Sequence, residues 1–149
     1  MKPLRQFDHE NLDVYQAAIE FVTLANEIVQ QLPRGRAYLA DQMQRAATSI
    51  VLNVAEGAGE FSDRDKSRFY RIARRSGTEC AAILDVCQRV VEVDPVTYQT
   101  GRDLLLRIVA MLTRMVVNRS QSGSGTGSVT GSGRNNVVGF NFGPEYLGW

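Results

Sequence analysis

The segment from Leu39 to Gly57, LADQMQRAATSIVLNVAEG, constrains the fold more than any other part of the chain. Its apolar residues recur at spacings of three and four, which is the period of one helix face. That face is formed by Leu39, Met43, Ala46, Ile50 and Val54, and it is extended by Ala47, Val51 and Ala55. A helix that is apolar over most of its circumference packs against several neighbours. The segment therefore predicts a multi-helix domain, although it specifies no chemistry.

The first half of the chain holds two predicted helices. The first covers about residues 11–31, with Asn11 as its N-cap. Its predicted inner face consists of Leu12, Tyr15, Ile19, Val22 and Val29. The second helix covers about residues 36–55, and we expect it to end there because Gly57 and Gly59 are poor helix formers.

Two further helices follow. Ser62 is the predicted N-cap of the third helix, which begins with an acidic first turn and reaches about Val93. Asp94 and Pro95 are the predicted N-cap and first residue of the fourth. The apolar face of the fourth helix comprises Leu104, Leu105, Ile108, Val109, Leu112, Met115 and Val116. Because the connections are short, the sequence predicts an all-α, antiparallel up-down-up-down four-helix bundle over residues 1–119.

The composition changes at Ser120. Residues 120–133 are rich in glycine and serine, which predicts a flexible linker. Residues 134–149 are predicted to be a docking peptide, because four of the twelve aromatic residues lie within the last ten positions. Its predicted partner-binding residues are Phe140, Phe142, Tyr146, Leu147 and Trp149. The alternative interpretation is a fused peptide without a native role.

Composition narrows the functional classes. A net charge of +1 creates no overall field that favours nucleic acid or acidic partners. Cys80 and Cys87 are seven residues apart on one helix, about 10 Å, which is too far for a disulfide. They are therefore predicted to be core residues of a protein in a reducing compartment. With no apolar run of eighteen residues and no signal-peptide pattern, we expect a soluble cytoplasmic protein without a membrane partner.

The chain lacks recognisable catalytic motifs. A di-iron site in a bundle needs inward carboxylates and Glu-x-x-His pairs, whereas the single histidine, His9, precedes the predicted bundle. No phosphate-binding loop, dinucleotide fingerprint or Cys-x-x-Cys pair occurs. We therefore expect no cofactor, no metal and no enzymatic activity.

A polar line runs along the second predicted helix. It consists of Arg45, Ser49, Asn53 and Glu56. It could face a pore or a bound partner. Alternatively, it marks the least buried edge of the helix or makes hydrogen bonds that fix helix register and subunit contacts. We favour the second interpretation, because buried polar groups usually serve structure once they are hydrogen-bonded.

The start of the third predicted helix is strongly basic. Six cations lie within twelve residues: Arg64, Lys66, Arg68, Arg71, Arg74 and Arg75. Four of them share a helix face, with Phe69 and Tyr70 interleaved. The pattern fits a phosphate-binding stripe and also an ordinary solvated face that nearby acids partly neutralise. The acids in question are Glu60, Asp63, Asp65 and Glu79. The candidate nucleic-acid-binding residues are Arg64, Arg68, Arg71, Arg74 and Arg75.

Several of these residues together resemble a known family. The matching motifs are Leu12-Asp-Val-Tyr15, Leu32-Pro33, the run from Gln42 to Gly57 with its Arg-Ala-Ala and Asn-x-Ala-Glu-Gly elements, and Phe69, Ala73, Ser76 and Glu79. They resemble, over about residues 7–117, the bacterial four-helix-bundle family encoded by intervening sequences within 23S ribosomal RNA genes. The resemblance implies a bundle that assembles as a homopentameric ring, with no established catalytic activity.

The resemblance extends more distantly to the accessory variability determinant of diversity-generating retroelements. That protein is a basic pentameric barrel that binds nucleic acid and a reverse transcriptase, whereas this chain is nearly neutral. Two hypotheses follow. The leading one is a non-enzymatic oligomeric scaffold or adaptor that binds a protein partner through the tethered aromatic peptide. The alternative is a nucleic-acid-binding accessory protein, for RNA, DNA or a ribonucleoprotein, that uses the basic face of the third helix.

Overall fold

A computed structural model describes residues 3–122 of the chain. Four α-helices make up most of this range: α1 (Asp13–Gln31), α2 (Ala37–Gly59), α3 (Asp63–Val91) and α4 (Pro95–Ser122). Short 3-10 helices at Asp8–Asn11 and Arg34–Arg36 precede α1 and α2, and the described range contains no strand. The prediction of an all-α fold is confirmed. Helix α4 continues three residues into the predicted linker, and the rest of the linker and the docking peptide lie outside the described residues.

The helices are arranged in chain order around a common core. Each packs against the next and α1 also packs against α4, whereas α1 and α3, like α2 and α4, lie diagonally across the bundle. This is the contact pattern of an up-down-up-down bundle. The most extensive contact joins α2 to α3. It includes Gly57, which lies against Tyr70, and the two serines Ser49 and Ser76, whose hydroxyls are hydrogen-bonded. Small side chains allow the two helix axes to approach closely.

The inner face of α1 differs from the prediction. Its buried residues are Val14, Ala17, Ala18, Phe21, Ala25 and Ile28, whereas Ile19 is 39% exposed. The other predicted core positions, Leu12, Tyr15, Val22 and Val29, are only half-buried. The predicted face is displaced by about one position along the helix from the true one: it omitted Val14, Phe21 and Ile28 as well as the three buried alanines. Asn11 ends the preceding 3-10 helix, and the N-cap position belongs to Leu12, which makes no side-chain cap.

The predicted end of α2 was also wrong. The helix continues through Gly57 and ends at Gly59. Gly57 is buried against α3, and a Cβ atom built there would lie 2.6 Å from Cε1 of Tyr70. Gly57 therefore provides space for a neighbouring ring, and does not terminate the helix.

The predicted starts of α3 and α4 are confirmed by their caps. Ser62 Oγ accepts a hydrogen bond from the Asp65 amide at 3.1 Å. Asp94 Oδ2 accepts one from the Thr97 amide at the same distance, and Pro95 is the first residue of α4. These caps satisfy amides that the first helical turn would otherwise leave unpaired.

Both cysteines are buried and unpaired on α3, as predicted. Burial, with a smaller contribution from the charge of Glu79, raises the pKa of the Cys80 thiol to about 12. Burial also raises the pKa of Cys87. Neither thiol is therefore ionised in the folded protein near neutral pH.

Candidate nucleic-acid interface

Helix α3 carries a continuous row of exposed guanidinium groups, which we call the arginine face. It consists of Arg64, Arg68, Arg71 and Arg75, all exposed and at helical spacings of four, three and four. At 1.5 Å per residue the row extends over about 16 Å. None of the four makes a salt bridge with another residue of the described segment.

The acids at the start of α3 do not neutralise this face, because they interact elsewhere. Asp63 pairs with Arg119 of α4 at 3.5 Å and accepts a hydrogen bond from Ser122 at 3.3 Å. Asp65 accepts a hydrogen bond from the Ser62 hydroxyl at 2.6 Å. Within the described segment, the predicted neutralisation of the arginines by neighbouring acids is therefore not observed as ion pairs.

Two cations of the predicted cluster lie outside the arginine face. The Lys66 ammonium donates to the carbonyl oxygen of Ala58 at 2.9 Å and lies 3.5 Å from that of Gly57, so it caps the end of α2. Arg74 is half-buried beside the row. Lys66 therefore has a structural role, and Arg74 can contribute only at the border of the interface.

The aromatic residues predicted to interleave with the arginines point elsewhere. Tyr70 is 1% exposed, and the half-buried Phe69 contacts the backbone region of Gly57. The guanidinium carbon of Arg119 lies 5.0 Å from the centre of the Tyr70 ring, a cation–π contact. Burial raises the pKa of Tyr70, and the charge of Arg119 partly opposes the shift. These contacts fix the start of α3 against the end of α4.

One exposed aromatic residue lies close in sequence to the arginine face and was not among the predicted aromatic residues. Phe61, in the connection between α2 and α3, is fully exposed and precedes Arg64 by three residues. A sequence signal existed: an apolar residue directly before an N-cap often packs against the fourth helical residue when that residue is also apolar. Here that residue is Lys66.

Positive and negative charges are distributed unevenly among the helices, a feature that the predictions from the sequence did not include. Helix α1 has three acidic and no basic residues, whereas α3 has seven Lys and Arg against four Asp and Glu. Helix α4 has four arginines against one aspartate. The near-neutral total therefore conceals a basic half of the bundle, formed by α3 and α4. Counting charges helix by helix would have revealed it.

The central residues of the polar line of α2 make hydrogen bonds within the bundle. The Ser49 and Ser76 hydroxyls lie 2.8 Å apart and link α2 to α3. The Asn53 amide donates to the carbonyl and hydroxyl oxygens of Ser49 at 2.8 and 3.1 Å. Arg45 pairs with Asp41 at 3.1 Å on the surface. These bonds support the interpretation that the line fixes helix register.

The single histidine, His9, lies among aromatic side chains near the start of α1. His9 stacks on Phe7 with ring centres 5.6 Å apart and meets the edge of Tyr15 at 4.6 Å. Among residues 3–122 there is no group of three or more His, Cys, Asp or Glu side chains placed to hold a metal ion. Within the same range, every helix is too short or too polar to cross a membrane.

The chain is similar to known proteins in structure and in sequence. A crystal structure of a protein of unknown function from the S23 ribosomal protein family of Bacteroides thetaiotaomicron superimposes with a TM-score of 0.64. The two sequences are 20% identical, and the alignment covers 69% of this chain and 97% of the other, which supports the fold alone. No curated protein matches the chain. Residues 10–114 match the model of the 23S rRNA-intervening sequence proteins, and the chain therefore belongs to the 23S rRNA-intervening sequence protein family.

Proposed function

We propose that this protein binds nucleic acid through the arginine face of α3, and that RNA is its ligand. The observation that carries the proposal is the row of four exposed arginines without ion pairs in the described structure. Helices α3 and α4 together carry eleven Lys and Arg, including the four of the arginine face, against five Asp and Glu. The family's description, which refers to 23S rRNA, favours RNA as the first ligand to test.

The geometry suits a polyanion. A row of about 16 Å runs alongside roughly five phosphates of one strand, at 3.4 Å of axis per phosphate. Arginine donates up to five N–H groups in a fixed plane and binds phosphate through two parallel hydrogen bonds. Four such contacts release about three to four counterions, so log K should fall with log salt concentration at a slope near −3.

The experiment measures fluorescence anisotropy of a labelled 20-nucleotide RNA across a salt series. The test variant is Arg68→Glu/Arg71→Glu/Arg75→Glu. The control, Arg5→Glu/Arg34→Glu/Arg45→Glu, changes the net charge equally at exposed sites outside α3. We expect the test variant to weaken binding by at least tenfold and the control by less than threefold. Equal losses, or binding insensitive to salt, would contradict the proposal.

A second candidate function rests on the chain beyond Ser122. We propose that residues 134–149 bind a protein partner, because four of the twelve aromatic residues are concentrated there, outside the described structure. A chain that ends at Ser122 keeps α4 and the Ser122–Asp63 hydrogen bond. Partner capture should be lost on this truncation and on replacing Phe140, Phe142 and Trp149 with serine. Capture that survives both changes would refute the scaffold function.

We also propose that the chain forms a homopentamer, as its family resemblance implies. Five copies would present five arginine faces to one polyanion, and binding at one face would raise the local ligand concentration at the others. Sedimentation equilibrium should give a mass near five times the 16.5 kDa of one chain. A monomeric mass would overturn the pentamer but leave the single-face binding test unaffected.

A further inference from the structure

Phe61 is the most exposed large apolar residue in the described range, at 102% of its reference area. It lies between the last residue of α2, Gly59, and the N-cap of α3, Ser62. A fully solvated phenyl ring forgoes the stabilisation that burial of a phenylalanine side chain gives. Its ring is therefore available to a binding partner at this corner.

The usual structural reason does not apply. An apolar residue at the position before an N-cap typically packs against an apolar residue four positions into the helix. At that position α3 has Lys66, and its ammonium group is bound to the terminal carbonyls of α2. Phe61 consequently has no apolar partner at the helix start.

The backbone on either side of Phe61 is well fixed. The Glu60 amide donates to the Gly57 carbonyl at 3.2 Å, and the Ser62 hydroxyl caps the amide of Asp65. Lys66 ties the two helix ends together across the corner. The ring is therefore presented to solvent from a rigid turn, which lowers the entropy cost of using it for binding.

The positive charge of the nearby arginines indicates which class of ligand could cover the Phe61 ring. Phe61 precedes Arg64 by three positions, so their Cα atoms lie within about 10 Å of each other. A cationic row that begins beside an exposed aromatic ring is the combination used to bind single strands, where cations contact phosphates and the ring stacks on a base. Bases inside a duplex are already paired and stacked, and cannot take up this position.

We propose that Phe61 is a stacking platform for an unpaired base, so that the ligand of the arginine face is single-stranded RNA. This inference rests on the proposed function and specifies its substrate class. Arg64 and Arg68 would hold the phosphates next to the stacked base, and Arg71 and Arg75 would follow the strand away from the corner. The base contact depends on the aromatic face and not on hydrogen bonds, so it tolerates any base.

The test compares a labelled 12-nucleotide oligouridylate with a blunt 12-base-pair RNA duplex. For the variant Phe61→Ala, we expect the affinity for the single strand to fall by about 5- to 100-fold, the range for loss of one aromatic stack. Affinity for the duplex should change by less than twofold. Phe61→Tyr keeps the aromatic face and should bind like the wild type. Tyr38→Ala, which removes an exposed ring at the far end of α2, serves as the control and should have no effect.

The outcomes separate this inference from the proposed function. Unchanged single-strand binding in Phe61→Ala, or an equal loss for both RNAs, would overturn the stacking platform while leaving the arginine face intact. If the wild-type protein binds neither RNA, the proposed function fails and the platform with it. Because Phe61 contacts no core residue, circular dichroism of the alanine variant should match the wild type.

Discussion

Gly57 is the position where the packing of α2 against α3 can be tested most directly. A methyl group added there would place its carbon 2.6 Å from Cε1 and 2.9 Å from Cδ1 of Tyr70. Carbon atoms pack favourably at about 3.5–4.0 Å, so the ring or the helix must move by about 1 Å. Tyr70 is 1% exposed and is held by Arg119 on its face. We therefore expect Gly57→Ala to destabilise the fold.

Two opposing terms set the magnitude. Alanine is a better helix former than glycine by about 0.8–1.0 kcal/mol within a helix. Overpacking a well-filled core costs about 1–3 kcal/mol. Because Tyr70 is confined, the steric term should fall near the upper end of that range. The net loss in the free energy of unfolding should be about 1–2 kcal/mol.

The assay is unfolding in guanidinium chloride, followed by circular dichroism at 222 nm. The matched control is Gly59→Ala in the same helix, where nothing lies within 4 Å of the added carbon. It should leave stability unchanged or raise it by up to about 0.5 kcal/mol. Adding Tyr70→Leu to Gly57→Ala should cost less than the sum of the single changes. A Gly57→Ala protein as stable as the wild type would refute the steric argument.

Three further predictions use the same unfolding measurement. Ser49→Ala and Ser76→Ala should each lower the free energy of unfolding by about 1 kcal/mol. The double variant should lose less than the sum, because each change removes the same hydrogen bond, and additive losses would exclude that bond. The free energy of unfolding should fall as pH rises from 9.0 towards about 12, because the Cys80 thiol ionises at lower pH in the unfolded chain than in the folded protein. Cys80→Ala should make the free energy of unfolding less dependent on pH in this range. Ser62→Ala should cost about 1 kcal/mol by removing the α3 cap, and an unchanged midpoint would show that water replaces it.

The features of the fold that could be predicted from the sequence are those set by neighbouring residues. The caps at Ser62 and Asp94 act within one turn, so their residue types alone located the starts of α3 and α4. The end of α2 depends on the contact of Gly57 with Tyr70, thirteen residues later in the chain. Helix propensity contains no information about that contact. The end of α2 predicted from propensity was therefore too early in the chain.

The exposure of the arginine face was predicted from the sequence, whereas the expectation that Phe69 and Tyr70 interleave with it was wrong. The spacing from Arg64 to Arg75 fixes one helix face, and the structure confirms that these side chains are exposed together. Tyr70 lies two residues beyond Arg68, about 200° around the helix, so the helical period itself places it on the opposite side. Phe61 was absent from the predicted aromatic residues, although Lys66 at the fourth helical position of α3 already indicated that a residue before the N-cap has no apolar partner there.

The two sides of α3 carry different kinds of side chain, and this difference separates the residues that stabilise the fold from the proposed binding residues. Toward the other helices α3 presents buried residues, among them Tyr70, Ala73 and Ser76. The outer side carries Arg68 and Arg71, which are exposed. Substitutions on the inner side should change the free energy of unfolding, whereas exposed arginines contribute little to it. Because the two sets of residues do not overlap, charge reversal on the outer side tests binding on an otherwise intact fold.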